Sequence, residues 1–211
     1  MILPTMNARE IRAEMQKDRL FIEDRMDGLT KKYRRQCVKS PKNTVRFLGK
    51  TTYVSPNRNR WEIMVMACNR EFGAAMSLVV DGNYGKTYYQ ILTGYNDDHP
   101  SIFIYNPHFF DRVKQRAGLT PDEYIRACIS LSVTVDHGKA YISDDVGVGL
   151  GREMEPHSDV YKVNTFVTYD MLYDNQTECT LNLSEETGLS SEEIILEMTR
   201  MLKMKHKRGA I

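Results

Sequence analysis

The sequence predicts an α+β fold, with a curled antiparallel sheet, packed helices and a long N-terminal helix. Three observations lead to this prediction: a helical periodicity over the first 40 residues, a series of short β-type segments after it, and well-marked helix starts in the second half. We expect an N-terminal amphipathic helix over residues 1–42 and an α+β domain over residues 43–211, the two forming a single compact unit.

The N-terminal helix is predicted from a capping box and an apolar stripe. Asn7-Ala8-Arg9-Glu10 has the capping-box pattern, and apolar residues then recur at intervals of three, four or seven up to Ser40-Pro41. The residues of the stripe are Ile11, Met15, Ile22, Met26, Leu29, Tyr33 and Cys37. Such a stripe must lie on the body of the protein or on a partner chain, which would make a homodimer through this helix.

Short β-type segments separated by turn residues follow from Val45 onward. Because the connections between them are short, they predict an antiparallel meander. The predicted strands are Val45–Val54, Trp61–Cys68, Ala74–Val80, Lys86–Leu92 and Ile102–Tyr105.

The second half combines helices with further strands. One helix begins at His108 and ends at Gly118, and Thr120-Pro121-Asp122-Glu123 starts another with an N-cap, a proline and a carboxylate. The glycine-rich run Gly147–Gly151 favours a β-bulge or a tight bend over a phosphate-binding loop. The later elements are strands at Gly138–Ile142 with Gly147–Leu150 and at Val160–Tyr169, and a last helix over Ser190–Lys205.

Charge is distributed unevenly along the chain, although 29 basic and 28 acidic residues leave a net charge of +1. The segment from Gly28 to Trp61 holds ten basic residues and no acidic one. This asymmetry favours a basic surface for RNA or another polyanion, the alternative being a solvated helix end and loop. The residues expected to bind nucleic acid are Lys31, Lys32, Arg34, Arg35, Lys42, Arg58 and Arg60.

Several classes of function lack their sequence signals. The four cysteines are scattered without metal-type spacing, which favours reduced thiols in the cytoplasm. We expect no signal peptide, no membrane span and no cofactor. The histidines form no HxH or HExxH pattern, so no metal site is expected, and neither a phosphate-binding glycine loop nor a GxSxG nucleophile elbow is present.

The segment Ser101–Arg116 has the strongest signal for chemistry. A β-type run ends at Asn106-Pro107, and at about 100° per residue His108, Asp111, Arg112, Gln115 and Arg116 share one side of the following helix. A helix start with an imidazole and two guanidinium groups is suited to an anion such as phosphate. The alternative is an amphipathic helix with a solvated polar face.

Metal-free RNA cleavage by the 2′-hydroxyl needs a general acid, a general base and cations for the developing phosphate charge. His108 could supply the proton transfer, and Arg112 and Arg116 the charge. A helix opening HxxxRxxxR, followed by a glycine-containing hairpin and a strand with Thr165-Phe166, resembles the barnase, colicin and RelE-type ribonuclease superfamily, including its phage-encoded branches. The resemblance covers residues 107–169 and implies a metal-independent endoribonuclease with His108, Arg112, Arg116 and Thr165 as catalytic residues.

Two further classes of function stay open. Leu183–Ile195 resembles the middle of a helix-turn-helix, but Glu192 and Glu193 would then face phosphates, so an ordinary helical corner is favoured. The chain could instead be a non-catalytic nucleic-acid-binding or protein-interaction module of a phage or mobile element. RNA turnover identifies an enzyme, and salt-dependent affinity without turnover identifies a binder.

Overall fold

A computed structural model describes residues 1–3, 5–42, 45–92, 100–127, 132–136, 138–143, 146–168 and 171. The described helices and strands follow in chain order. They are α1 Ala8–Gln16, α2 Arg19–Val38, β1 Val45–Val54, β2 Arg60–Cys68, β3 Glu71–Gly82, β4 Gly85–Leu92, β5 Ser101–Tyr105, α3 Pro107–Ala117, α4 Pro121–Ala127, β6 Ser132–Asp136, β7 Lys139–Ser143, β8 Gly147–Glu153 and β9 Val160–Thr168.

The nine strands form one mostly antiparallel sheet in the order β1-β2-β3-β4-β5-β9-β8-β7-β6. The meander predicted for the first half is confirmed, because β1 to β5 pair in sequence and antiparallel. The β2–β3 connection is the two-residue turn Asn69-Arg70, with φ of 51° and 70°. Two positive φ angles match the twist of the flanking strands, which is why such a short turn closes the hairpin.

A parallel pair in the middle of the sheet joins two antiparallel halves. β5 pairs with β9 in parallel, from Ile102 opposite Val160 to Tyr105 opposite Val163. β6 to β9 form the second meander, and the chain enters it from β5 through α3 and α4. Neither β6 nor the parallel pair was predicted from the sequence. β1 and β6 are the two ends of the described strand order, so this sheet is open and its predicted curl is not confirmed.

The β8–β9 register shifts between Leu150 and Gly151, where β9 has one extra residue, Asn164. The irregularity therefore lies in β9 beside the glycine-rich run, not in the run itself, where the bulge was predicted. A Cβ on Gly147 would lie 2.7 Å from Phe166 Cζ, and a Cβ on Gly149 would lie 3.1 Å from the Tyr124 hydroxyl. The glycines therefore let β8 lie close to β9 and α4. They leave little room for a phosphate.

The sheet is covered by helices on both faces. α3 and α4 pack on the face that carries Met64, Met66 and Phe103, around a cluster of buried aromatic rings. α1 and α2 cover the opposite face, which carries Trp61 and Ile102. The alternation of side chains along each strand separates these two cores. The apolar stripe of the N-terminal helices is thus buried against the sheet of its own chain.

The predicted single N-terminal helix is two helices. α1 ends at Gln16, α2 begins at Arg19, and Lys17 and Asp18 lie between them. Asp18 is fully buried and its carboxylate accepts three side-chain hydrogen bonds from the β1–β2 turn and β2. A straight helix would place this residue on the apolar stripe between Met15 and Ile22. Lys17 and Asp18 keep right-handed helical angles, so the interruption is local and Asp18 stays on the side that faces the sheet.

The predicted helix over Ser190–Lys205 and the helix-turn-helix pattern over Leu183–Ile195 lie outside the described residues. No helix in the described part of the chain is long and apolar enough to cross a membrane.

Candidate functional site

The predicted site lies on α3, whose ends have the local signals seen in the sequence. Asn106 caps the helix, because its side chain accepts a hydrogen bond of 2.8 Å from the Phe109 N–H. Pro107 occupies the first turn, and Gly118 ends the helix in the left-handed region at φ 69°. These signals fix the start and the phase of the helix.

The phase of α3 is as predicted. Phe109, Phe110 and Val113 are buried on the sheet, whereas His108 and Asp111 are exposed. Arg112 is half-buried, and its Nη1 donates to Gln115 Oε1 at 3.3 Å. His108 and Arg112 are therefore one helical turn apart on the outer side of α3.

Arg116 is half-buried, and its guanidinium turns toward β9. Its Nη1 donates to Thr165 Oγ1 at 3.1 Å and to the Phe166 carbonyl at 2.6 Å. β5 pairs with β9 only as far as Val163. The Phe166 carbonyl, which accepts the hydrogen bond from Arg116, lies beyond this paired part of β9. This contact joins the end of α3 to β9.

Two of the four predicted catalytic residues, Arg116 and Thr165, thus contact each other. Thr165 is fully buried. Arg116 lies eight residues after His108, which is about 12 Å along a helix. His108 and Arg116 therefore lie near opposite ends of α3, and a single catalytic site made of all four residues stays a prediction.

Arg116→Met should lower the free energy of unfolding by about 1 to 3 kcal/mol, because it removes charge-assisted hydrogen bonds to β9 while keeping much of the side-chain length. Lys114→Met, at an exposed position of the same helix, is the matched control and should change it by less than about 0.5 kcal/mol. Urea denaturation measures both variants. Equal stabilities of Arg116→Met and the wild type would mean that Arg116 is available for a ligand.

The basic residues between Gly28 and Trp61 lie on different faces of the protein. Lys31, Lys32, Arg34 and Arg35 are exposed on the side of α2 that points away from the sheet, and we call these four the basic side of α2. None of the four has a carboxylate within 4.0 Å among the residues that the structure describes. Lys42, which follows the helix, is also exposed.

Two other cations of the segment are neutralised on the opposite face of the sheet. Arg60 makes a two-pronged ion pair with Asp81, at 2.6 and 2.9 Å, and its guanidinium holds the pKa of Asp81 below the ordinary value. Lys50 Nζ lies 2.7 Å from the buried Glu62 and 2.8 Å from Asp122 of α4. Arg60 is therefore unsuited to the nucleic-acid-binding role that its place in the sequence suggested.

Arg58, the remaining predicted contact, is exposed in the β1–β2 turn with φ 62°. That turn is tied to the N-terminal helices by Asn57 and Asn59, whose side-chain amides donate to Asp18. Arg58 therefore has a defined position at one end of the sheet.

Asp18, the buried centre of the contact between the helices and the sheet, was not predicted from the sequence. Trp61 Nε1 and the Asn59 amide donate to its Oδ2 at 2.7 and 2.9 Å, and the Asn57 amide donates to its Oδ1 at 2.8 Å. Burial alone would raise the pKa of Asp18, but together these hydrogen bonds and one from Ser55 outweigh it and lower the pKa. The sequence did contain a signal for this buried carboxylate, because Asp18 is an acidic residue on an otherwise apolar stripe.

Glu14, one turn before Asp18, is a second buried carboxylate. The Lys17 ammonium and the α-amino group of Met1 lower its pKa to about 2. Asn59 donates to it as well, at 3.3 Å. The two carboxylates therefore have their charges compensated by structural partners.

No group of three or more histidine, cysteine, aspartate or glutamate side chains in the described ranges is close enough to hold a metal ion. Comparison with known proteins finds no match among family models, among curated proteins or among solved structures. The resemblance to the barnase, colicin and RelE-type superfamily stays a prediction.

Proposed function

We propose that this chain binds nucleic acid, RNA in the first place, through the basic side of α2 and without cutting it. The observation that carries the proposal is the exposure of Lys31, Lys32, Arg34 and Arg35 without an acidic partner in the described part of the chain. Phosphate groups would supply the missing negative charge, and the release of counterions from the nucleic acid would drive binding.

Aromatic rings near the cations support nucleic acid as the polyanion. Lys32 Nζ lies 5.2 Å from the centre of the Tyr33 ring, and the Arg25 guanidinium lies 6.0 Å from that of Tyr53. Interleaved cations and rings are typical of surfaces that bind single strands, where bases stack and phosphates pair. The helix dipole is a competing explanation, because it also favours a cation in the last turn of α2, where Arg35 lies.

RNA cleavage is the second candidate, and the exposure of His108 at the start of α3 beside Arg112 is the observation that favours it. It is second because the half-buried Arg116 already donates a hydrogen bond to Thr165, which is fully buried. A homodimer through the N-terminal helices, a cytoplasmic location and an origin in a phage or mobile element stay predictions. The stripe of those helices is buried in its own chain, so a dimer would have to use their outer sides.

The test is the affinity for a labelled single-stranded RNA between 50 and 200 mM KCl, measured by fluorescence anisotropy. The triple variant Lys31→Gln, Arg34→Gln and Arg35→Gln should bind more weakly at low salt. Its plot of log affinity against log salt should be less steep by about 2, because each phosphate contact on a single strand contributes about 0.7.

The matched control removes three exposed cations elsewhere, with Arg9→Gln, Lys114→Gln and Lys162→Gln. It changes the net charge equally but should keep the wild-type affinity and slope. Identical behaviour of the two triple variants, or no binding at 50 mM KCl, would contradict the proposal. The same RNA, examined on a gel in EDTA, should remain intact. Cleavage that His108→Ala slows by about a hundredfold would establish the enzymatic alternative.

A further inference from the structure

A cleft opens where the break between α1 and α2 lies over the sheet. It has a volume of about 330 Å³ and is separate from the basic side of α2. Its wall is mainly apolar and comes from both helices and from β2 to β5. The apolar residues that form it are Met15, Ile22, Trp61, Met76, Ile91 and Ile102.

The cleft is suited to a small molecule because its wall is preformed. Met15, Ile22, Trp61 and Ile102 belong to the core beneath α1, and each is less than about a tenth exposed. Met76 and Ile91 are partly exposed and form the accessible part of the wall. Ligand sites in proteins are typically hollows of this kind, apolar with a few fixed polar groups, and of about 300 Å³ or more.

Arginines border the apolar wall. Arg12 is fixed by hydrogen bonds from Nη1 to the Pro100 carbonyl at 3.0 Å and from Nη2 to the Ser158 carbonyl at 2.7 Å. Arg19 donates from Nε to Glu23 at 2.8 Å, and both of these side chains are more than half exposed. Among the residues that the structure describes, two cations and one anion give the border a net positive charge, and Arg12 uses neutral carbonyls as its acceptors.

We propose that this cleft binds a small amphiphile with one unbranched apolar chain and one carboxylate, in the class of medium-chain fatty acids. The alkyl chain of the ligand lies along Met76, Ile91 and Trp61, where it is buried away from water. The carboxylate lies at the border, where the arginines attract it. A cleft of about 330 Å³ has room for the alkyl chain of a medium-chain acid, and the arginines at its border favour an acid over an alcohol.

The first experiment titrates the full chain with decanoate below its micelle concentration, by calorimetry and by NMR of ¹³C-labelled methionine methyl groups. We expect saturable binding of one equivalent, with shifts of the Met15 and Met76 methyl signals. Met64 and Met66, buried on the opposite face of the sheet, are internal controls and should not shift. Octanoate should bind roughly tenfold more weakly, because it buries two fewer methylene groups.

The second experiment changes the charge at the border without disturbing the wall. Glu23→Gln removes the anion and should tighten decanoate binding about threefold, whereas Arg19→Gln should weaken it by a similar factor, as is usual for exposed charges. Neither substitution should change the affinity for decanol, the neutral analogue. Lys114→Gln, on the other face of the sheet, is the control for net charge.

The third experiment fills the cleft. Ile91→Trp places a larger ring on the partly exposed wall and should weaken both decanoate and decanol at least tenfold. Val54→Trp, at a position 61% exposed on β1, is the matched control and should leave both affinities unchanged. The proposal would be overturned if decanoate binding did not saturate, or if the Met64 and Met66 signals shifted as much as those of Met15 and Met76. It would also be overturned if neither charge variant changed the affinity for decanoate.

Discussion

Asp18→Ala is expected to lower the free energy of unfolding by about 3 to 5 kcal/mol. The substitution leaves the indole N–H of Trp61 and the amide of Asn59 buried without their acceptor, and each unmet buried donor costs about 1 to 3 kcal/mol. It also separates the α1–α2 junction from the β1–β2 turn. Urea denaturation at neutral pH, with Trp61 fluorescence as the signal, measures the loss.

Asp27→Ala is the matched control, since it removes an exposed carboxylate of α2 and should change stability by less than about 0.5 kcal/mol. Similar losses in the two variants would show that Asp18 makes no special contribution to the contact between the helices and the sheet.

The contribution of Asp18 to the free energy of unfolding should also depend on pH, and it should decrease on acidification. Its pKa in the folded protein is below the ordinary value of 3.8, so the folded state favours the carboxylate more strongly than the unfolded chain does. The stabilisation by the Asp18 carboxylate is complete above the pKa that Asp18 has in the unfolded chain. It is lost as the pH falls through the lower pKa that Asp18 has in the folded protein. The difference between the wild type and Asp18→Ala should therefore be constant from about pH 7 to 5 and shrink below about pH 4. A difference that grew on acidification would contradict the lowered pKa.

Phe109→Ala is expected to cost about 3 to 5 kcal/mol, the usual range for deleting a buried aromatic ring. Phe109 is fully buried, and its ring centre lies 5.1 Å from that of Tyr124 and 5.2 Å from that of Tyr105. Its loss would open a cavity between α3, α4 and the sheet. Thermal unfolding, followed by circular dichroism, measures the effect.

The neighbouring substitution His108→Ala is the control, because it alters the same turn of α3 on the exposed side. It should change stability by less than about 0.5 kcal/mol. A large loss with His108→Ala would mean that the imidazole has a structural partner, and it would remove the basis for a catalytic role. A small loss with Phe109→Ala would show that α3 is oriented differently.

Local signals were sufficient for much of the fold. The strands β1 to β5 were predicted with nearly their observed ends because each is bounded by turn residues and rich in β-forming side chains. α3 was predicted from Asn106, Pro107 and Gly118, which act within one turn of the helix ends. These residues determine the conformation of the nearby backbone almost independently of the rest of the chain.

The candidate site was predicted only in part, because helical phase does not determine the reach of a long side chain. The phase correctly placed His108 outward and Phe109 inward. Arg116, on the predicted polar side, instead turns to the Phe166 carbonyl, which the neighbouring strand leaves uncovered. Similarly, Arg60 belongs to a basic segment of the sequence but is paired with Asp81, a residue brought close by the β2–β3 register.

By itself, the sequence determined the strands of the first half, the phase of α3 and the concentration of positive charge before Trp61. Only the tertiary structure decided the parallel pairing of β5 with β9, the break at Asp18 and which cations are neutralised. The physical reason is the separation along the chain over which each kind of interaction acts. Capping, turn formation and side-chain periodicity act over a few residues, whereas strand pairing, burial of a carboxylate and ion pairing join residues tens of positions apart, whose contacts exist only once the sheet has formed.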